Sequence, residues 1–188
     1  MLFVGRLAPE KNLPFLLEVM RDVIRESNAG LVVCGVGPER PTVETQIRTL
    51  GLGDRVRMLG YRSDVWRLMK CAGVVVNPSR FEGQPNAVLE AMACGTPLVV
   101  SDIPAHREFL SPGRAALLSP RAHDAWVGAI REALRASPVI CARIAASLAA
   151  AEQFSASAAA EMYKAAYREV LIRRAEPAGR LPHHGRGH

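Results

Sequence analysis

Four charged side chains, Arg6, Lys11, Glu82 and Glu90, stand where they could meet one anionic, hydroxyl-bearing ligand. Arg6 and Lys11 belong to Gly5-Arg6-Leu7-Ala8-Pro9-Glu10-Lys11-Asn12, which follows the apolar run Leu2 to Val4 and precedes a helical pattern. Two cations just ahead of a helix N-terminus suit a diphosphate, because the first amides of a helix and its dipole favour negative charge. Gly5, without a Cβ, lets backbone approach a ligand closely. Glu82 and Glu90 flank the start of a second helix, predicted from Pro85 or Asn86 to Cys94: proline suits the first turn, and Gly95 with Pro97 ends it. Val88, Leu89, Met92 and Ala93 are expected on its buried face, which leaves Asn86 and Glu90, four residues apart, on the edge toward a cleft. Ionised carboxylates only accept hydrogen bonds, so two of them beside a phosphate site need hydroxyls to bind. A nucleoside diphosphate joined to a sugar offers ribose hydroxyls to one, sugar hydroxyls to the other, and phosphates to Arg6, Lys11 and the helix end.

Other motifs are weaker. Gly35-Val36-Gly37-Pro38-Glu39-Arg40 has the first half of a dinucleotide fingerprint, but Arg40 stands where the third glycine belongs and no acidic residue closes the next strand. A Walker loop is absent. Gly60-Tyr61-Arg62-Ser63-Asp64 reads as a turn with Ser63 as helix N-cap; Tyr61 and Arg62 either flank a base or decorate a surface turn. Cys34, Cys71, Cys94 and Cys141 stand singly, without metal-ligand spacing, and are expected to be small buried thiols. With nothing that reads as a signal peptide, they point to a reducing, cytoplasmic setting. His183, His184 and His188 lie in a Pro/Gly-rich tail and are read as incidental, so no metal is expected.

These residues need a scaffold, and the pattern supplies one. Leu2 to Val4, Gly30 to Cys34, Val56 to Leu59, Val74 to Asn77, Leu98 to Ser101 and Ala115 to Leu118 are short β-rich runs. Helical patterns fall between them, such as Leu13, Leu16, Leu17, Met20 and Ile24, then Val43, Ile47 and Leu50. Strand and helix alternating in this way predict a doubly wound, Rossmann-like parallel sheet of about six strands, whose strands read as unbroken apolar runs because both faces are covered. Ligands of such sheets bind beyond the C-terminal strand ends, where the four charges lie. After Leu118 only helices are expected: Asp124 to Arg135, Pro138 to Gln153, and Ala156 to Ile172 with the stripe Tyr163, Tyr167, Val170 and Leu171. The organisation is therefore a nucleotide-sugar-binding domain over 1–153, a further helix over 154–173 and a disordered tail over 174–188.

Of 188 residues, 49% are hydrophobic and 22% charged, too apolar for a disordered chain, and the apolar runs are far too short to span a bilayer. The net charge of +6 is half due to the tail, where Arg173, Arg174, Arg180 and Arg186 outnumber Glu176. Aromatics at 5% and the lack of a basic stripe speak against nucleic-acid binding.

Gly5-Arg6-Leu7 with Glu10-Lys11-Asn12, the Gly35-Val36-Gly37-Pro38 turn, and Pro78-Ser79 leading to Glu82-Gly83 and Leu89-Glu90-Ala91-Met92-Ala93-Cys94-Gly95-Thr96-Pro97 resemble the C-terminal, donor-binding domain of retaining glycosyltransferases of the "glycosyl transferases group 1" family, which have the GT-B fold. Glu82 and Glu90 reproduce that family's pair of glutamates separated by seven residues. The resemblance implies a hexosyltransferase whose catalytic residues are Arg6, Lys11 and Glu82. Arg6 and Lys11 would hold the diphosphate and stabilise the departing nucleotide, Glu90 would bind the ribose and Glu82 the donor sugar. Gly5, Gly83, Gln84, Asn86, Ala87 and Val88 would complete the donor site, with Tyr61 and Arg62 near the base. Gln84-Pro85-Asn86 stands where many relatives have an aromatic and a glycine, and Pro85 has no amide to donate.

The resemblance further implies no cofactor and no metal, in keeping with the lack of an Asp-x-Asp motif. It also implies an acceptor-binding N-terminal domain that this sequence does not contain, against which the 154–173 helix would dock. Without it the chain is expected to be inactive, and any peripheral membrane association is expected only through that domain. Two other readings remain at this point: a non-catalytic, degenerate interaction module, and part of a sugar-nucleotide epimerase.

Overall fold

The computed structural model of the chain describes residues 1–135, 137–154 and 164. It divides into a unit from Met1 to Glu152 and a second from Gln153 to His188. The expectations for 154–173 and 174–188 fall, Phe154 and Lys164 apart, outside the described residues.

Six strands, β1 (Leu2–Val4), β2 (Leu31–Cys34), β3 (Val56–Gly60), β4 (Val75–Asn77), β5 (Leu98–Ser101) and β6 (Ala116–Leu118), form one sheet in the order β3-β2-β1-β4-β5-β6. Every pairing is parallel, with registers such as Phe3 beside Val33 and Val76 beside Val99. The doubly wound sheet expected from the sequence is thus present. Alternate residues of each strand serve opposite layers. Phe3, Val33, Val76 and Val99 enter one core with α1 (Leu13–Arg25), α2 (Arg40–Thr49) and α6 (His123–Leu134). Leu2, Cys34, Val75, Leu98 and Val100 enter the other with α3 (Val65–Cys71) and α4 (Asn86–Ala93). Short α5 (Pro104–Arg107) follows β5, and α7 (Pro138–Ala151) reaches both cores through Ile140 and Ala150. Trp126 of α6 is fully buried; its ring meets Phe15 of α1 edge-on at 5.8 Å and its Nε1 donates to the Ser119 carbonyl at 3.0 Å.

Three local expectations differ. Asp64, not Ser63, occupies the N-cap of α3, and no side chain caps that helix. The cause is Arg62, whose guanidinium takes both Asp64 carboxylate oxygens, at 2.8 and 2.7 Å. On α4 the buried face is Val88, Ala91 and Met92, whereas Ala93 is exposed and Leu89 half-buried, because residue 93 lies about a quarter turn beyond the stripe. All four cysteines are free, but only Cys34 is buried; Cys71 and Cys141 are exposed because they sit on the outer faces of α3 and α7.

Candidate functional site

The chain builds outward from β1 through β2 to β3, returns across the sheet to β4 and builds outward again. The loops after β1 and β4 therefore diverge, and a crevice opens at their C-terminal ends. A cleft of about 780 Å³ lies there, within the roughly 300–1,000 Å³ usual for small-molecule sites. The loops after β1, β2, β3 and β4 and the first turns of α4 line it.

Its floor is backbone. The Gly5 amide donates to the Cys34 carbonyl and the Leu7 amide to the Val36 carbonyl, both at 3.0 Å, while the Glu39 amide returns to the Leu7 carbonyl at 2.9 Å. Gly35 and Gly37 make this possible. A Cβ on Gly35, whose φ is +146°, would stand 1.8 Å from the Gly5 carbonyl oxygen, and one on Gly37 would stand 2.3 Å from that of Leu7. The half-fingerprint thus joins two loops of the protein. On the far side the Arg80 amide donates to the Glu10 carbonyl at 2.8 Å, tying the β4 loop to the β1 loop.

These ties set Lys11 against Glu82. Lys11 ends a 3-10 turn, Pro9–Lys11, and the left-handed Asn12 (φ 55°) redirects the chain into α1, its side chain buried and donating to the Pro120 carbonyl. Lys11 Nζ lies 2.6 Å from both Glu82 carboxylate oxygens. Glu82 Oε1 also accepts from Ser79 Oγ at 2.7 Å and Asn77 Nδ2 at 3.4 Å, and both of those residues are buried. Burial pushes the Glu82 carboxyl up, but the hydrogen bonds from Lys11, Ser79 and Asn77 with the Lys11 charge outweigh it and hold the group below the usual carboxylate range.

Glu90 is in the opposite situation. It lines the same cleft from α4, its carboxylate makes no hydrogen bond or ion pair among the described residues, and burial pushes its carboxyl up. Arg6 lines the cleft as an exposed cation with no carboxylate partner among the described residues. Gly5, Gln84, Asn86 and Ala87 also line it, as do Tyr61, which is 78% exposed, and Arg62, held by Asp64.

Two candidates are set apart. Gly83 lies outside the lining, and Val88 is fully buried in the core with its amide donating to the Pro85 carbonyl at 2.9 Å. Val88 therefore offers a ligand neither side chain nor free N–H. The Asn86 amide is likewise engaged, by the Gln84 carbonyl at 3.0 Å, so Asn86 faces the cleft with its side chain only.

Sequence reasoning missed three residues. Asn77 and Ser79 pin Glu82, and their position, Asn77 as the last residue of β4 and Ser79 just beyond it, was the available signal. His106 of α5 is fully buried, its Nδ1 2.7 Å from the Ser101 carbonyl and its Nε2 without a hydrogen-bond partner among the described residues. Burial pushes its pKa down, so the ring is held neutral with the proton on Nδ1. Nothing in spacing marks it. Among the described residues, no three His, Cys, Asp or Glu side chains converge as a metal site would require.

Residues 1–136 match the family model described as glycosyl transferases group 1. The alpha-D-kanosaminyltransferase of Streptomyces kanamyceticus is 30% identical over 174 residues, covering 90% of this chain and 45% of that protein. A UDP-Gal:alpha-D-GlcNAc-diphosphoundecaprenol alpha-1,3-galactosyltransferase of Escherichia coli is 35% identical over 104 residues, 53% of this chain and 27% of that protein. Among solved structures, sucrose-phosphate synthase from Thermosynechococcus elongatus superposes with a TM-score of 0.82 at 25% identity, covering 92% of this chain and 45% of that one. The pneumococcal O-GlcNAc transferase in complex with UDP and GlcNAc gives 0.80 at 23% identity, over 90% and 35%. The sheet order and trailing helices are those of the C-terminal half of the GT-B fold. The chain spans less than half the length of the curated relatives it matches.

Proposed function

This chain belongs to the glycosyl transferases group 1 family, and we propose that it forms the nucleotide-sugar-binding half of a retaining glycosyltransferase. One observation carries the reading: a single cleft at the reversal point of the sheet gathers the cations Arg6 and Lys11 with the carboxylates Glu82 and Glu90. Arg6 and Lys11 meet the diphosphate, Glu90 the ribose hydroxyls and Glu82 a hydroxyl of the sugar. In the transfer, the bond from the anomeric carbon to the diphosphate breaks with its electron pair left on the diphosphate, and the acceptor oxygen takes its place. The acceptor proton passes to the diphosphate or to water. Arg6 and Lys11 stabilise the charge that appears on the leaving group. The UDP held by the pneumococcal relative supports a uridine nucleotide as the first donor to try.

The rest of the site is proposed to come from an acceptor-binding domain outside this chain, in line with the share of its relatives that the chain spans. Holding an acceptor hydroxyl beside the anomeric carbon can supply about 7–11 kcal/mol of barrier reduction, and that positioning is the part proposed to come from the acceptor domain. The test is calorimetric titration with UDP, GDP and their sugars, followed by an acceptor assay. Arg6→Ala should weaken nucleoside diphosphate binding about 10- to 100-fold, since charge-assisted hydrogen bonds contribute about 1.5–3 kcal/mol. Transfer should stay at background until a matching acceptor domain is added. Unchanged affinity in Arg6→Ala overturns the phosphate assignment, and acceptor-dependent transfer by the chain alone, lost in Arg6→Ala, overturns the division of the site.

A further inference from the structure

The Lys11–Glu82 pair limits what the cleft can accept. Glu82 Oε1 has three donors, Lys11, Ser79 and Asn77, so its lone pairs are taken. Oε2 has Lys11 alone, which leaves room for one further donor. Lys11 has three N–H bonds and spends up to two on the carboxylate, which leaves at least one for an incoming acceptor. The pair therefore presents one free acceptor site beside one free donor.

A ligand with a hydroxyl next to a phosphate oxygen satisfies both. A diphosphate without its sugar carries oxygen acceptors and negative charge only, and it meets the ionised carboxylate unrelieved. Glu82 is unable to swing aside, because its side chain is 7% exposed and held by the buried Asn77 and Ser79.

We propose that the Lys11–Glu82 pair discriminates the intact donor from the spent nucleotide, with Glu82 lowering the affinity of the nucleoside diphosphate once its sugar is gone and so promoting its release. This rests on the donor-binding reading above. While the sugar is attached, its hydroxyl donates to Oε2 and its diphosphate takes the spare N–H of Lys11. After transfer the hydroxyl has left with the acceptor, and the carboxylate again competes with the diphosphate for Lys11.

The test compares UDP with UDP-glucose, and GDP with GDP-mannose, by calorimetry on the whole chain. Glu82→Gln keeps the shape and removes the carboxylate that competes for Lys11, so it should tighten the nucleoside diphosphate about tenfold, as one additional charge-assisted hydrogen bond from the released ammonium would, while weakening the nucleotide sugar. Adding Lys11→Ala to Glu82→Gln should abolish the tightening, because the freed ammonium is its source. If Glu82→Gln fails to fold, Glu82→Ala serves the same comparison. A folded Glu82 variant whose nucleoside diphosphate affinity is unchanged or weaker overturns the inference and leaves the donor-binding reading standing. A wild-type chain that binds none of the four probes overturns both.

Discussion

Arg6 and Glu90 were legible one by one: Arg6 follows an apolar run whose C-terminal end falls at one edge of a parallel sheet, and Glu90 shares the outer edge of a helix with Asn86, four residues before it. What Glu90 does there can be separated from mere surface decoration. Glu90→Gln is expected to weaken nucleotides with an intact ribose severalfold, as loss of one charge-assisted hydrogen bond would, and to leave inorganic diphosphate binding nearly unchanged. Equal effects on the two ligands, measured by calorimetry, would remove Glu90 from the ribose. The Lys11–Glu82 contact was not legible, since 71 residues separate its partners and no periodicity links them. Ser63 failed as a cap for a similar reason: the sequence shows an acceptor ahead of a helix, but not that Arg62 immobilises the neighbouring Asp64. His106 gave no sign because its setting, a buried ring against the Ser101 carbonyl, arises only when α5 folds back on β5.

At the scale of elements, strands and their order were readable because burial on both faces writes them as continuous apolar runs. Leu2 and Phe3 are adjacent in sequence yet belong to different cores, and each is apolar for its own layer. The turn after β2 was readable as glycine-dependent but for a different cause. Gly35 and Gly37 meet the carbonyls of Gly5 and Leu7. Gly37→Ala places a methyl 2.3 Å from the Leu7 carbonyl oxygen, which must move. The variant is expected to lose about 1–3 kcal/mol in urea unfolding, typical of forced backbone strain, and to weaken nucleotide binding by displacing Arg6. Full stability in Gly37→Ala would show that the loops part easily.

For the whole molecule, the lining residues fall between Val4 and Glu90, so the cleft belongs to the unit from Met1 to Glu152. The alternation of strand and helix announced that architecture, whereas no pattern in the sequence says which distant loops share a wall, since loop approach is decided by side-chain volume and backbone hydrogen bonding. Among the described residues no single helix is long and apolar enough to cross a membrane. The interlocked floor has a consequence for the timing of motion. Glycine-rich loops at ligand sites are commonly the first parts of a protein to open, yet here the amides of Gly5, Leu7 and Gly35 continue the sheet's ladder beyond its strands, with Gly35 reaching the Gly60 carbonyl at 2.7 Å. In native-state deuterium exchange these three amides should be among the slowest in the chain, released only by global unfolding, while those of the exposed Gly83 and Gln84 exchange early. Early exchange at Gly5 would mean that the floor breathes on its own, and the cleft would then be a surface that forms around its ligand instead of one that waits for it.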